Sequence, residues 1–122
     1  MKAKVLVVDD SSMARRKARE ILEASGHRVI EAEDGTTALA RYSTEKPDLV
    51  LLDMVMSGMY GLDVLQKLRE MDDKAKVIIV TADVQTSTRE MAEEAGSRGV
   101  VTKPVRKEEL LNLVNAVLDE QL

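Results

Sequence analysis

Residues 48–53 read DLVLLD, and the segment runs on to Gly61 as MVMSGMYG. Four aliphatic side chains in succession, Leu49 to Leu52, show neither a helical period nor the alternation of a strand with one wet face. They fit a strand buried on both faces, and such strands belong to parallel sheets covered by helices. The run ends on a carboxylate, Asp53, where the chain leaves the sheet. Aspartate is an ordinary turn or capping residue there, so whether it does more depends on what the rest of the chain brings beside it.

The same unit repeats outward in both directions. Upstream, KVLVV (4–8) leads into a helical segment from Ser12 to Ser25, with Ser11 or Ser12 as N-cap and Gly26 as stop. RVIEA (28–32) leads through Asp34-Gly35 into a helix to about Ser43. The opening strand, DLVLL (48–52), leads through a glycine-containing loop into a helix from about Leu62 to Met71. Downstream, KVIIV (76–80) is followed by Thr81 to Gln85 and a helix capped among Thr86, Ser87 and Thr88 and stopped by Gly96. GVVT (99–102) passes through Lys103-Pro104 into a last helix from about Lys107 to Leu122. Strands joined by helices cannot be hairpins, so they lie parallel with right-handed crossovers and helices on both faces. Five such units predict an α/β fold with a doubly wound five-stranded parallel sheet, for which 2-1-3-4-5 is a common order. Ligands of such sheets bind beyond the carboxyl ends of the strands at the switch point, here between strands 1 and 3. Asp53 ends strand 3.

Composition narrows the function. At 122 residues and 13.5 kDa, with 44% apolar and 33% charged residues, residues 1–122 are expected to form one soluble domain. There is no Phe or Trp, and Tyr42 and Tyr60 are the only aromatic residues, so platforms for stacking bases are lacking. A net charge of -4 argues further against nucleic acid, whose binding rests on basic residues that displace counterions. The cluster Arg15, Arg16, Lys17 and Arg19 reads either as a solvated helix face or as a partner patch. The absence of Cys removes disulfides, thiolate metal sites and thiol nucleophiles, and fits a reducing cytoplasm. No run is long enough for a signal peptide or a membrane span, so no membrane is expected.

The predicted strand ends on the Asp53 edge carry chemistry. Asp9 and Asp10 follow strand 1, Asp53 follows strand 3, Thr81 strand 4 and Lys103 strand 5. Glu31 and Glu33, at the end of strand 2, lie at the sheet margin and are expected to stay outside this group. Three neighbouring carboxylates repel, which raises a pKa unless a cation intervenes. A hard divalent ion such as Mg2+ suits a few carboxylates, a carbonyl, waters and a phosphate oxygen. Asp53 is then placed to take a phosphoryl group as an acyl phosphate, with Mg2+, the Lys103 ammonium and the Thr81 hydroxyl neutralising charge. Singly, each residue reads as a cap or turn; their convergence on one edge carries the argument.

With VLVVDDSSMAR, DLVLLDMVM, VIIVTA and VVTKP in hand, the whole chain resembles the receiver domain of two-component response regulators, of the stand-alone, CheY-like kind with a flavodoxin-like fold. The resemblance implies Asp53 as phosphoacceptor. It implies Asp10, Asp53 and the carbonyl of Val55 as direct Mg2+ ligands, with Asp9 acting through water. Thr81, Lys103 and the amides of Val55 and Ala82 would hold the phosphoryl group, and Lys103-Pro104 would be cis. It also implies a donor phosphohistidine on a sensor histidine kinase or histidine phosphotransfer protein, catalysis only of its own phosphorylation and dephosphorylation, and an output in trans in chemotaxis or a phosphorelay. No output domain is expected within residues 1–122. An external donor agrees with the single histidine, His27, which falls on the opposite sheet edge and is expected to be an exposed turn or strand-entry residue.

Two positions depart from the family pattern. Ser57 stands where proline is usual, and Val100 stands where many receivers carry Tyr or Phe, so an inward-turning ring cannot be the readout. Val55 and Asp83 occupy positions that adjust acyl-phosphate lifetime in the family; of the two, Asp83 has a side chain able to orient water. In the last helix Leu110, Leu113, Val114, Val117 and Leu118 form one stripe, which Leu111 and Leu122 widen. That width means either two exposed leucines or a contact edge, leaving a monomer or a weak dimer through this helix. Three other functions fit less well. A phosphatase of the haloacid-dehalogenase type wants a second acid where Val55 stands, an FMN carrier would meet repulsion from Asp9-Asp10, and a dinucleotide binder lacks GxGxxG. A receiver that only binds partners would not need the full set of acids, hydroxyl and amine.

Overall fold

A computed structural model describes residues 2–56 and 59–120 of the chain. The elements follow in the order β1 (Lys4–Val8), α1 (Ser12–Ala24), β2 (Arg28–Ala32), α2 (Gly35–Glu45), β3 (Leu49–Asp53), β4 (Val55–Met56), β5 (Met59–Tyr60), α3 (Gly61–Met71), β6 (Val77–Thr81), α4 (Thr86–Glu94), β7 (Gly99–Thr102) and α5 (Lys107–Leu118). Five strands form a parallel sheet in the order β2-β1-β3-β6-β7, which is the expected 2-1-3-4-5. β4 and β5 form a separate antiparallel ladder of two residues each, directly after Asp53.

Alternate residues of each central strand feed opposite cores. Leu6, Val8, Val50, Leu52, Val77 and Ile79 point to the side covered by α2, α3 and α4, where Ala38, Leu65, Leu68 and Ala92 meet them. Val5, Val7, Leu49, Leu51, Ile78 and Val80 point to the side of α1 and α5, against Leu22, Leu110, Val114 and Val117. That is why DLVLL and KVIIV read as unbroken apolar runs: both faces of these strands are dry. Deleting a large side chain here, such as Leu52 or Ile79, would cost about 2–5 kcal/mol through lost transfer energy and the cavity left behind.

Several boundaries move. The third strand includes Asp53 and the fourth runs from Val77 through Thr81, so both of these candidate residues sit inside strand ends. Ser11 caps α1 by accepting from the Ala14 N–H at 3.2 Å, and Asp34 caps α2 through the Thr37 N–H at 2.7 Å. The α2 helix reaches Glu45, two residues beyond the expected end, and α3 begins one residue early at Gly61. None of Thr86, Ser87 and Thr88 caps α4; Gln85 takes the N-cap position without a side-chain bond, and the three lie within the helix. The last helix stops at Leu118, and Leu111, Leu113 and Leu118 pack half-buried against the α1–α5 core. Of the two residues that widen the stripe, Leu111 is therefore partly covered by the core. Ser57 and Leu122 lie outside the described residues.

His27 departs further from expectation. It is 5% exposed, and its Nδ1 accepts the Ala3 N–H at 3.1 Å, pinning the start of the chain against the α1–β2 turn. Among the described residues no helix is long and apolar enough to cross a membrane.

Candidate functional site

Register brings the strand ends level. The Asp9 N–H donates to the Ala32 carbonyl, the Met54 N–H to Val80, and the Lys103 N–H to Thr81, at 3.2, 2.9 and 2.7 Å. Hydrogen bonding across the sheet thus continues one residue past the strands and holds the backbone of each functional residue or its neighbour. Asp9, Asp53 and Thr81 are buried, whereas Asp10 is exposed at the rim. An open cleft of about 340 Å³ is lined by Asp9, Asp10, Asp53, Val55, Thr81, Ala82 and Lys103, every residue expected at the site, together with Ser11 and Asp83.

Asp9, Asp10 and Asp53 each present an oxygen within 4.8 Å of the others, a donor set fitting a hard divalent cation. The Lys103 ammonium bridges two of them, at 3.1 Å from Asp9 Oδ2 and 3.4 Å from Asp53 Oδ1. Burial and then the neighbouring Asp9 push the Asp53 carboxyl up to about 6, against the pull of Lys103 and of the Val55 N–H. For Lys103, burial works to lower its pKa, but the carboxylates of Asp9 and Asp53 outweigh that and raise it, so the ammonium stays charged.

Thr81 Oγ1 accepts the Asp83 N–H at 3.0 Å, which leaves the hydroxyl proton for another acceptor. Asp83, which also lines the cleft, is engaged locally. Its carboxylate accepts from the Gln85 N–H at 2.9 Å and from the Thr88 hydroxyl at 2.6 Å, and the Thr88 bond foremost holds its pKa below the usual range. Val100 is buried beneath α4, and Arg89 reaches across to its carbonyl and to Thr102 Oγ1 at 3.5 Å each. Lys103-Pro104 is cis, as the resemblance implies.

Two contributors were not apparent in the sequence. Gly61 donates its N–H to the Met54 carbonyl at 2.7 Å, and a Cβ there would come within 2.7 Å of the Met54 Cα and closer still to the Asp53 carbonyl. Only glycine permits that approach behind the carboxylate. The available signal was a glycine opening a helix where a capping residue would be ordinary. Arg15, read as part of a solvated or partner-binding cluster, donates to the Asp9 carbonyl at 2.7 Å.

Residues 5–115 match the family model of the response regulator receiver domain. This chain is a member of that family. The receiver is 40% identical over 118 residues to protein PilH of Pseudomonas aeruginosa, covering 95% of this chain and 98% of the relative. Chemotaxis protein CheY of Halobacterium salinarum is 36% identical over 118 residues, 97% of this chain and 98% of that protein. Among solved structures, chemotaxis protein CheY4 of Vibrio cholerae superposes with a TM-score of 0.90 at 28% identity, over 96% of the receiver and 99% of that chain. The fold, the family and the likeness to stand-alone receivers therefore agree.

Proposed function

We propose that this receiver is a single-domain response regulator that accepts a phosphoryl group on Asp53 and signals in trans through altered protein contacts, in chemotaxis or a phosphorelay. The observation that carries the reading is the Lys103 ammonium held between Asp9 and Asp53, with Thr81 and the Val55 amide beside the same carboxylate. A structural cap needs neither a half-buried counter-charge nor a second and third carboxylate.

The donor is a phosphohistidine on a sensor kinase or histidine phosphotransfer protein. As the P–N bond breaks, a carboxylate oxygen of Asp53 forms the P–O bond, and the imidazole nitrogen keeps the electron pair and is protonated by solvent. Asp10, Asp53 and the Val55 carbonyl would hold Mg2+ directly and Asp9 through water; when bound, the ion would neutralise charge on the transferring phosphoryl oxygens. Lys103 turns from the carboxylates to a phosphoryl oxygen, Thr81 donates its free hydroxyl proton, and the Val55 and Ala82 amides take the remaining oxygens. The protein catalyses only its own phosphorylation and hydrolysis. A cytoplasmic location goes with that donor.

Incubation with a small acyl-phosphate donor and Mg2+ should give one acid-stable, base-labile phosphoryl adduct by intact mass. Asp53→Asn should give none. An adduct that persists in that variant, or its absence from the unaltered protein, would overturn the reading.

A further inference from the structure

We propose that Arg15, braced by Glu31, is the positioning residue of the acidic cluster, setting the peptide plane from which Asp10 projects. The proposal rests on the phosphoacceptor reading above and names a device that serves it. Every polar group of Asp9 is held: its N–H by the Ala32 carbonyl at 3.2 Å, Oδ1 by the Ser11 N–H at 2.9 Å, Oδ2 by Lys103 at 3.1 Å, and its carbonyl by Arg15 Nη1 at 2.7 Å. The last contact has a particular consequence. The carbonyl of Asp9 and the N–H of Asp10 belong to one rigid plane, so fixing that oxygen fixes where the Asp10 Cα begins. Asp10 is exposed at the rim.

Arg15 is itself held. Its Nε donates to Glu31 Oε1 at 2.9 Å, and the guanidinium side chain is 15% exposed, unlike a solvated surface arginine. Glu31 neighbours Ala32 on β2, so one strand grips Asp9 twice, through the Ala32 carbonyl and through the Glu31–Arg15 pair. The planar fork allows this: one edge of the guanidinium serves the carboxylate while another serves the carbonyl, which a single ammonium cannot reproduce. Glu31 also offsets the guanidinium charge beside a site meant for a cation. Arg19 bonds Glu31 as well, but its charged group is directed to Glu31 and Glu23 and makes no bond to Asp9.

The test is Mg2+ affinity by calorimetric titration of the intact protein, with KM and maximal rate for a small acyl-phosphate donor measured alongside. Arg15→Ala should weaken Mg2+ binding on the order of tenfold, as loss of partners behind metal ligands commonly does. Arg15→Lys should recover only part of it, and Glu31→Gln, which keeps an acceptor for Nε, should fall between. Arg19→Ala should stay within about twofold of the unaltered protein on the same reasoning. A purely structural role would lower the metal-free melting temperature and leave Mg2+ affinity unchanged; that result overturns the proposal. If Arg15→Ala does not fold, unchanged affinity in both Arg15→Lys and Glu31→Gln overturns it equally. Failure of the unaltered protein to bind Mg2+ would instead remove the phosphoacceptor reading, and this inference with it.

Discussion

At the scale of single residues, Gly61 shows how little space the Asp53 turn leaves. The Gly61 N–H bonds to Met54, while the missing side chain lets the start of α3 lie against the backbone of Asp53 and Met54. Gly61→Ala must displace backbone rather than a flexible side-chain end, and overpacking of that kind costs about 1–3 kcal/mol. Thermal unfolding should therefore fall by roughly 5 °C or more. Phosphorylation should slow as well, because the displaced atoms carry the proposed phosphoacceptor; a phosphorylation rate equal to the unaltered protein's would show that Asp53 tolerates the shift. The pushed-up pKa of Asp53 belongs to the same scale. Burial and the neighbouring Asp9 push the carboxyl up, and Lys103 with the Val55 amide pull it back, to about 6.

At the scale of an element, α4 is tied to the site by side chains on its first turn. Thr88 donates to Asp83, whose own N–H donates to Thr81 Oγ1, and Arg89 spans to β7 on the strand that leads to Lys103. Val100 itself lies buried in the core and takes part in this link only through its carbonyl. Asp83→Ala should release the Thr88 hydroxyl and the Gln85 N–H, at a cost of about 1 kcal/mol, and speed amide exchange at residues 85–88. The carboxylate keeps lone pairs beyond these two bonds, but both of its oxygens are drawn to the start of α4, so acyl-phosphate lifetime should stay within about twofold. A large lengthening of that lifetime with unchanged exchange would reverse the assignment and restore Asp83 as a water-orienting group.

At the scale of the whole molecule, the two cores meet only through the sheet, and the edge strands need other anchors. His27 supplies one by accepting the Ala3 N–H ahead of β1. That bond requires an unprotonated Nδ1, and burial holds its pKa below the ordinary value of 6.5. A histidine with a depressed folded pKa takes its proton first in the unfolded chain. Stability from this group is thus present above pH 6.5 and is lost as pH falls from there through the folded pKa. Denaturant unfolding at a series of pH values should show that slope, and His27→Leu should flatten it. An unchanged slope would mean that carboxylates alone set the acid limit.

How much was legible follows from which interactions are local. Apolar runs and their punctuation by Ser11, Gly26 and Asp34 determined the five strand–helix units, because strand burial and helix capping act within a few residues. The order of types at the strand ends determined Asp9, Asp10, Asp53, Thr81 and Lys103 as one group once the topology was assumed. Tertiary structure alone decided the rest. The depth of His27, the α4 tie from Asp83 to Thr88, the close approach at Gly61 and the grip of Arg15 on Asp9 depend on the relative placement of elements. Arg15 and Glu31 stand 16 positions apart, and no periodicity in the chain relates them; they meet because β2 lies beside β1 and α1 packs over both.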